Sequence, residues 1–191
     1  MQQEVPGQQT GVTVDFDRYP NAQQLLKRCQ DFFAEVENLT PGRDLEVYLN
    51  ENYGPGNGVY EDLCSLTRKG VEEGWAADVE ISGPNYRRSK LAVPSEATRF
   101  FSITTVYFNS QEEFSGQHHS HPYGEINCVV QIDPTAELKG MQGWKTAWTS
   151  PGPGTHHYPQ SRGGAVVALF FLPAGRISYS ANPDDPQPAS L

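Results

Sequence analysis

The chain has 191 residues, enough for one domain with a buried core, and a net charge of −9 from 14 basic and 23 acidic side chains. No Lys/Arg-rich run is present to follow a phosphate backbone, so nucleic acid is not an expected partner and small molecules are favoured. No apolar run is long enough to span a bilayer, and the first residues lack the basic-then-apolar pattern of a secretion signal, so a cytoplasmic protein with no membrane partner is expected.

In chain order, the first fifteen or so residues and the last ten, Asn182 to Leu191, are polar and aperiodic and are expected to be flexible ends. After Pro20-Asn21, the residues Leu25, Leu26, Cys29, Phe32, Phe33 and Val36 recur at helical spacing, and Thr40-Pro41-Gly42 ends the stripe. A short helix is expected over Asp44 to Leu49 with Asp44 as its N-cap, and a longer one over Val59 to Glu73, stopped by Gly74. Between them, Gly54-Pro-Gly-Asn-Gly58 reads as a plain turn, because it follows no strand and lacks the Lys-Ser/Thr of a phosphate loop. The three cysteines, Cys29, Cys64 and Cys128, are widely spaced among apolar neighbours and read as reduced core thiols.

From Trp75 the texture changes to short β-branched and aromatic segments. Strands are expected at Ala77 to Ile81, Tyr86 to Val93, Phe101 to Phe108, His118 to His121, Glu125 to Ile132, Trp144 to Thr149, His156 to Pro159, Ala165 to Leu172 and Arg176 to Tyr179. Many short strands with frequent turns suggest a sandwich or barrel, and Ala165 to Leu172, apolar on both faces, should lie between two layers. The expected organisation is a helical segment over 1–74 packed on a barrel over 75–180, with a flexible tail over 181–191.

The chemistry concentrates in Gly116-Gln-His-His-Ser-His-Pro-Tyr-Gly-Glu125 and Pro153-Gly-Thr-His-His157. His119 and His121 stand two residues apart, so in an extended strand both imidazoles leave one face, and Glu125 has the same parity if the chain bends only gently at Pro122-Tyr123-Gly124. With His157 from a distant strand, His119, His121 and Glu125 form a candidate set of metal ligands. His118 and His156 have the opposite parity and are expected to point away, although a shift of one residue in the turn before His156 would exchange it with His157.

His119-x-His121-x-x-x-Glu125 followed by Pro-Gly-Thr-His-His157 resembles the two metal-binding motifs of the cupin superfamily. This resemblance implies a mainly β fold, a double-sheet β-barrel (jelly roll) holding a divalent metal (Fe, Mn, Zn, Ni or Co) through three His and one Glu, here with an N-terminal α-helical segment. A narrower resemblance covers most of the chain. Leu45-Glu-Val-Tyr-Leu-Asn-Glu-Asn-Tyr-Gly-Pro-Gly56, Gly74-Trp75, Gly83-Pro-Asn-Tyr-Arg-Arg-Ser89, His121-Pro-Tyr-Gly-Glu-Ile-Asn127, Gly143-Trp144, Gly163-Gly-Ala165 and Leu172-Pro-Ala-Gly-Arg-Ile177 are similar to the 4-hydroxylaminobenzoate lyase family. It implies conversion of an aryl hydroxylamine carrying a carboxylate to a catechol (protocatechuate) with release of ammonia.

Around the ligands, Asn127 shares the parity of Glu125 and is a candidate to hydrogen-bond a ligand or substrate, while Ile126, Cys128 and Val130 should pack on the opposite face. Arg87 and Arg88 alternate, so at most one faces inward, where a guanidinium would match an aryl carboxylate; Arg87 is taken as that residue, beside Glu125 and Asn127 as catalytic candidates. Tyr86, Tyr107, Tyr123 and Trp144 are candidate walls of an aromatic pocket. The alternatives are a metal-dependent cupin oxygenase and a non-catalytic ligand-binding cupin. A homodimer acting on a small aromatic substrate is expected.

Overall fold

The computed structural model describes residues 11–191; residues 1–10, most of the stretch expected to be a flexible N-terminal end, lie outside the described residues. Three helices come first. Helix α1 (Pro20–Glu35) begins at a proline, whose missing N–H would have had no partner in a first turn, and buries Ala22, Leu25, Cys29, Phe32 and Phe33 along one side. Helix α2 (Arg43–Asn52) has its cap two residues earlier than expected, at Gly42 rather than Asp44. Asp44 and Glu46 fall in the first turn instead, where carboxylates meet the positive end of the helix dipole. Helix α3 (Gly58–Glu73) is capped by Asn57, whose side chain accepts from Tyr60 N–H, and it ends at Gly74, whose left-handed backbone (φ 84°) lets the chain turn away at once.

Twelve strands follow: β1 (Val79–Glu80), β2 (Tyr86–Ala92), β3 (Phe101–Ser110), β4 (Phe114–Ser115), β5 (His119–Ser120), β6 (Ile126–Gln131), β7 (Glu137–Gly140), β8 (Gly143–Lys145), β9 (Trp148–Thr149), β10 (His156–His157), β11 (Gln160–Arg162) and β12 (Gly164–Pro173). They form a six-stranded sheet in the order β1-β2-β3-β12-β6-β9, a four-stranded sheet in the order β4-β11-β7-β8, and a ribbon of β10 with β5. All the pairings are antiparallel. The stretch Trp144 to Thr149 splits, its first part joining the small sheet and its second the large one. Arg176 to Tyr179 forms no strand; it touches the ribbon through an isolated bridge between Ser178 and Ser120. Strands β4, β7 and β11 were not expected from the sequence.

Strand β12 explains how the layers stack. It pairs along its whole length with β3 and along six residues with β6, so its two faces look in opposite directions. Val167, Leu169 and Phe171 join the core beneath the helices, whereas Val166, Ala168, Phe170 and Leu172 join Tyr86, Phe108 and Leu138 in the space between the two sheets. The expectation that this run lies between two layers therefore holds. The helical side is anchored by Phe32, which stacks on Trp148 at 5.1 Å between ring centroids and meets Phe171 at 5.8 Å. Burying a side chain of this size contributes about 1.5–3 kcal/mol through the hydrophobic effect alone. The architecture is a cupin-like double-sheet barrel with its helices laid over the outer face of the larger sheet.

All three cysteines are free and buried, in line with core thiols. The C-terminal residues do not lie free of the barrel. The side chain of Gln187 accepts from the backbone N–H of His156 and donates to its carbonyl, an arrangement that imitates a strand pairing. Among the described residues, no helix is long and apolar enough to cross a membrane.

Candidate active site

The site is built on the β5–β10 ribbon. His157 pairs directly with His119 and His156 with Ser120, and paired residues in an antiparallel ladder project from the same face. His119 and His157 therefore share a face, and His121, two residues past His119, joins them. The ring centroids are 4.8 Å apart for His119 and His121, 5.0 Å for His119 and His157, and 4.9 Å for His121 and His157. Glu125 arrives by a route different from the gentle bend expected. Pro122-Tyr123 make a turn closed by Gly124 N–H to His121 O at 3.1 Å, with Gly124 in the left-handed region (φ 84°) and so close to Pro41 that no side chain fits. The turn brings one ligand atom from each of His119, His121, Glu125 and His157 within 4.8 Å of one another.

The far nitrogens of the rings fix their orientation. Nδ1 of His121 lies 3.1 Å from Thr155 O and 3.0 Å from Thr155 Oγ1, and Nδ1 of His119 lies 2.9 Å from Gln117 O. Each contact turns Nε2 inward, the arrangement by which neighbouring acceptors orient metal-binding imidazoles. Both Nε2 atoms are buried and have no hydrogen-bond partner, although Nε2 of His121 is 2.8 Å from Glu125 Oε2 and Nε2 of His119 is 3.9 Å from it. The two imidazoles and the carboxylate thus converge on a common point.

Burial lowers the pKa of His119, against the opposing pull of Glu125, and burial together with the neighbouring His119 and His121 holds His157 well below its usual value. Burial alone would raise Glu125, but the adjacent His121 and His119 overcome it and keep the carboxyl below its usual range. An ionised carboxylate beside imidazoles held toward the neutral form, as His119 and His157 are, suits the binding of a divalent cation. The orphaned, convergent Nε2 atoms and this donor set fit such an ion.

His118 and His156 meet on the opposite face, with His118 Nε2 3.1 Å from His156 Nδ1, while His156 Nε2 lies 2.9 Å from Asp185 O. The ribbon register settles which of the two adjacent histidines faces the cluster: it is His157.

His119, Glu125 and His157 line a pocket between the sheets, walled by Tyr86, Phe108, Phe170 and Ile177. Of the candidate aromatic walls, only Tyr86 lines it. Tyr107 packs against the helical core, Tyr123 is exposed, and Trp144 lies against Arg162 at 4.0 Å. Asn127 lines the pocket as its parity implies and donates from Nδ2 to Thr149 Oγ1 at 2.9 Å, while Ile126, Cys128 and Val130 face the helices.

The expectation for Arg87 is corrected. Arg87 pairs with Tyr107 across β2 and β3 and lies over that ring, 4.1 Å from its centroid, on the side away from the pocket. Arg88, its neighbour of opposite parity, pairs with Val106, lines the pocket beside His119 and Glu125, and is 8% exposed. Its Nε has no hydrogen-bond partner, and its guanidinium lies 5.8 Å from the centroid of Tyr179, a residue that sequence parity did not bring to the site. Phe108 and Phe170 were also missed, although the two-residue alternation of β3 and β12 carried the signal.

Residues 27–179 match the family model described as 4-hydroxylaminobenzoate lyase. The chain belongs to that family. A 4-hydroxylaminobenzoate lyase from Nocardioides sp. (strain LMS-CY) is 52% identical over 162 residues, covering 84% of this chain and 96% of the relative. One of the same name from Pseudomonas putida is 50% identical over 165 residues, covering 82% and 94%. At such identity over most of both chains, this member of the 4-hydroxylaminobenzoate lyase family is an enzyme of the lyase class. Among solved structures, the DMSP lyase DddQ from Ruegeria pomeroyi aligns over 87% of this chain and 99% of its own at 15% identity, with a TM-score of 0.42. An RmlC-like cupin from Ralstonia eutropha aligns over 56% and 67% at 17% identity, with a TM-score of 0.39. The family assignment rests on the sequence relatives alone.

Proposed function

We propose that this lyase acts on 4-hydroxylaminobenzoate, taking up water and giving protocatechuate and ammonia, with a divalent metal ion held by His119, His121, Glu125 and His157. The relatives' shared name supplies the substrate. The observation that carries the reading is a convergent His/His/Glu/His cluster, three of whose members, His119, Glu125 and His157, line one pocket together with the buried Arg88. An aromatic ring carrying both a carboxylate and an N–O group offers one partner to the guanidinium and one to the cluster.

Atoms and electrons balance without an external oxidant. The N–O bond breaks as a ring carbon gains an oxygen, water replaces nitrogen at its own carbon, and the redox change stays within the substrate. A bound divalent ion would supply Lewis acidity at the hydroxylamine oxygen. The chain's own groups do the rest. Arg88 pairs with the carboxylate through a charge-assisted, bidentate contact and sets the ring's direction. Tyr86, Phe108 and Phe170 hold the ring and keep bulk water from it. Asn127, steadied by Thr149, offers a hydrogen bond near the N–O end, and Glu125 keeps an anionic charge where proton transfer from the substrate is required.

The test is an incubation of the purified protein with 4-hydroxylaminobenzoate in the strict absence of oxygen, with ammonia and protocatechuate quantified together. Equal amounts of both, formed anaerobically, are expected. Turnover that occurs only with oxygen would assign an oxygenase instead.

A further inference from the structure

The segment Leu45 to Tyr53, one of the stretches by which the chain resembles its family, contributes nothing to the pocket lining. It forms α2, and two of its polar side chains, Glu46 and Asn50, stand one helical turn apart on the side that faces the barrel. Both reach the outer edge of the large sheet. Strand β9 is the last strand in that sheet, so the outward N–H and C=O groups of Trp148 and the N–H of Ser150 have no further strand to pair with. Asn50 takes the place of a strand at Trp148, accepting from its N–H at 3.1 Å and donating to its carbonyl at 2.9 Å. Glu46, 2% exposed, accepts from Ser150 N–H at 2.9 Å.

From Ser150 the connection runs into the candidate metal centre. Ser150 Oγ accepts from Gly42 N–H, at the start of α2, and donates to the backbone carbonyl of Glu125 at 2.9 Å. Glu125 N–H in turn donates to Pro151 O at 2.9 Å. The backbone of Glu125 is therefore held on both sides by residues 150 and 151, and that pair is held by the buried carboxylate of Glu46. The neighbouring β9 residue Thr149 also carries the amide of Asn127.

We infer that Glu46 is a positioning residue for the site: its hydrogen bond to Ser150, backed by the Asn50 clasp on Trp148, fixes the backbone of Glu125 and so the direction of its carboxylate. This rests on the proposed metal centre, of which Glu125 is one ligand. Burial raises the pKa of Glu46 while the Ser150 N–H opposes that shift. What the relay requires is an acceptor oxygen at this position, with or without charge.

The experiment compares wild type, Glu46→Ala, Glu46→Gln and Ser150→Ala for affinity toward a single added divalent metal (Zn²⁺) by calorimetry, for kcat and KM, and for thermal unfolding of the metal-free proteins. Replacing groups that support a metal ligand typically weakens affinity or activity 10- to 100-fold. We expect Glu46→Ala and Ser150→Ala each to bind Zn²⁺ at least about 10-fold more weakly, to lose kcat with KM little changed, and Glu46→Gln to restore both. Ser150→Ala keeps the Glu46 contact to the backbone N–H, so it reports on the relay even if Glu46→Ala does not fold. Wild-type affinity in a folded Ser150→Ala protein, or a Glu46→Gln protein as impaired as Glu46→Ala, would overturn the inference. A wild type that binds no Zn²⁺ would instead overturn the metal centre on which it rests.

Discussion

His157 stands directly opposite His119 in a two-residue ladder, and the residue beside it, His156, faces the other way to meet His118 and the C-terminal segment. A one-residue difference in register thus separates the proposed metal ligand from a structural clasp. Replacing His157 by Ala should abolish stoichiometric binding of a divalent metal while leaving the barrel folded. His156→Ala should retain the metal and instead free the segment around Asp185 and Gln187. Elemental analysis paired with hydrogen exchange of residues 182–191 separates the two; loss of metal from His156→Ala with retention in His157→Ala would reverse the assignment.

Arg88 and Arg87 offer a comparison of the same kind. Removing the guanidinium at Arg88 should raise KM for 4-hydroxylaminobenzoate roughly 10- to 100-fold, the range for a lost hydrogen-bonded charge contact. The variant should also lose its preference over phenylhydroxylamine, which lacks the carboxylate. Arg87→Ala removes the contact with Tyr107 and the charge near Asp78, both outside the pocket, and should leave KM within about 2-fold. Steady-state kinetics on both substrates provide the check.

The protonation states of the cluster set the direction of the pH dependence. The values of His119 and His157 are lowered from 6.5, so as pH falls below that value the unfolded chain takes up protons before the folded one does, and acid favours unfolding. Glu125, lowered from 4.5, adds a loss of the same sign below that value. Melting of the metal-free protein should therefore be nearly flat above about pH 7 and fall on acidification from about 6.5 downward. A melting temperature that rises as pH drops from 7 to 5.5 would contradict the charge states assigned to the site.

The helical cover depends on Phe32, which contacts Trp148, Phe171, Phe33 and Tyr53 in one aromatic cluster. Phe32→Ala should destabilise the fold by about 3–5 kcal/mol, the usual range for emptying such a site. Because Trp148 belongs to β9, the same substitution should loosen the strand that carries Thr149 and Ser150. Denaturant unfolding measures the first effect.

What the sequence disclosed followed from periodicity. Helical spacing located α1 and α3, and strand parity placed His119 and His121 together and sent His118, Ile126 and Cys128 to the other side. Parity could not choose between Arg87 and Arg88, because alternation says that two neighbours differ and not which one faces in; the pairing of Arg88 with Val106 supplies that fact. Glu125 had the right parity for a reason that does not apply, since a tight turn at Pro122 to Gly124 intervenes and Gly124 redirects the chain. Strands of two to four residues, such as β4 and β7, are too short to show a period. The contact of Tyr179 with Arg88 and the docking of Gln187 on His156 join elements far apart in the chain, where local pattern has nothing to report.

An ion held by His119, His121, Glu125 and His157 is proposed to drive turnover in this member of the 4-hydroxylaminobenzoate lyase family. The most direct test is anaerobic turnover of 4-hydroxylaminobenzoate by protein whose metal content is measured before chelation, after chelation and after restoration. About one divalent metal per chain is expected, with ammonia release that disappears with the metal and recovers when the metal is returned. Full turnover by protein shown to be metal-free would contradict it.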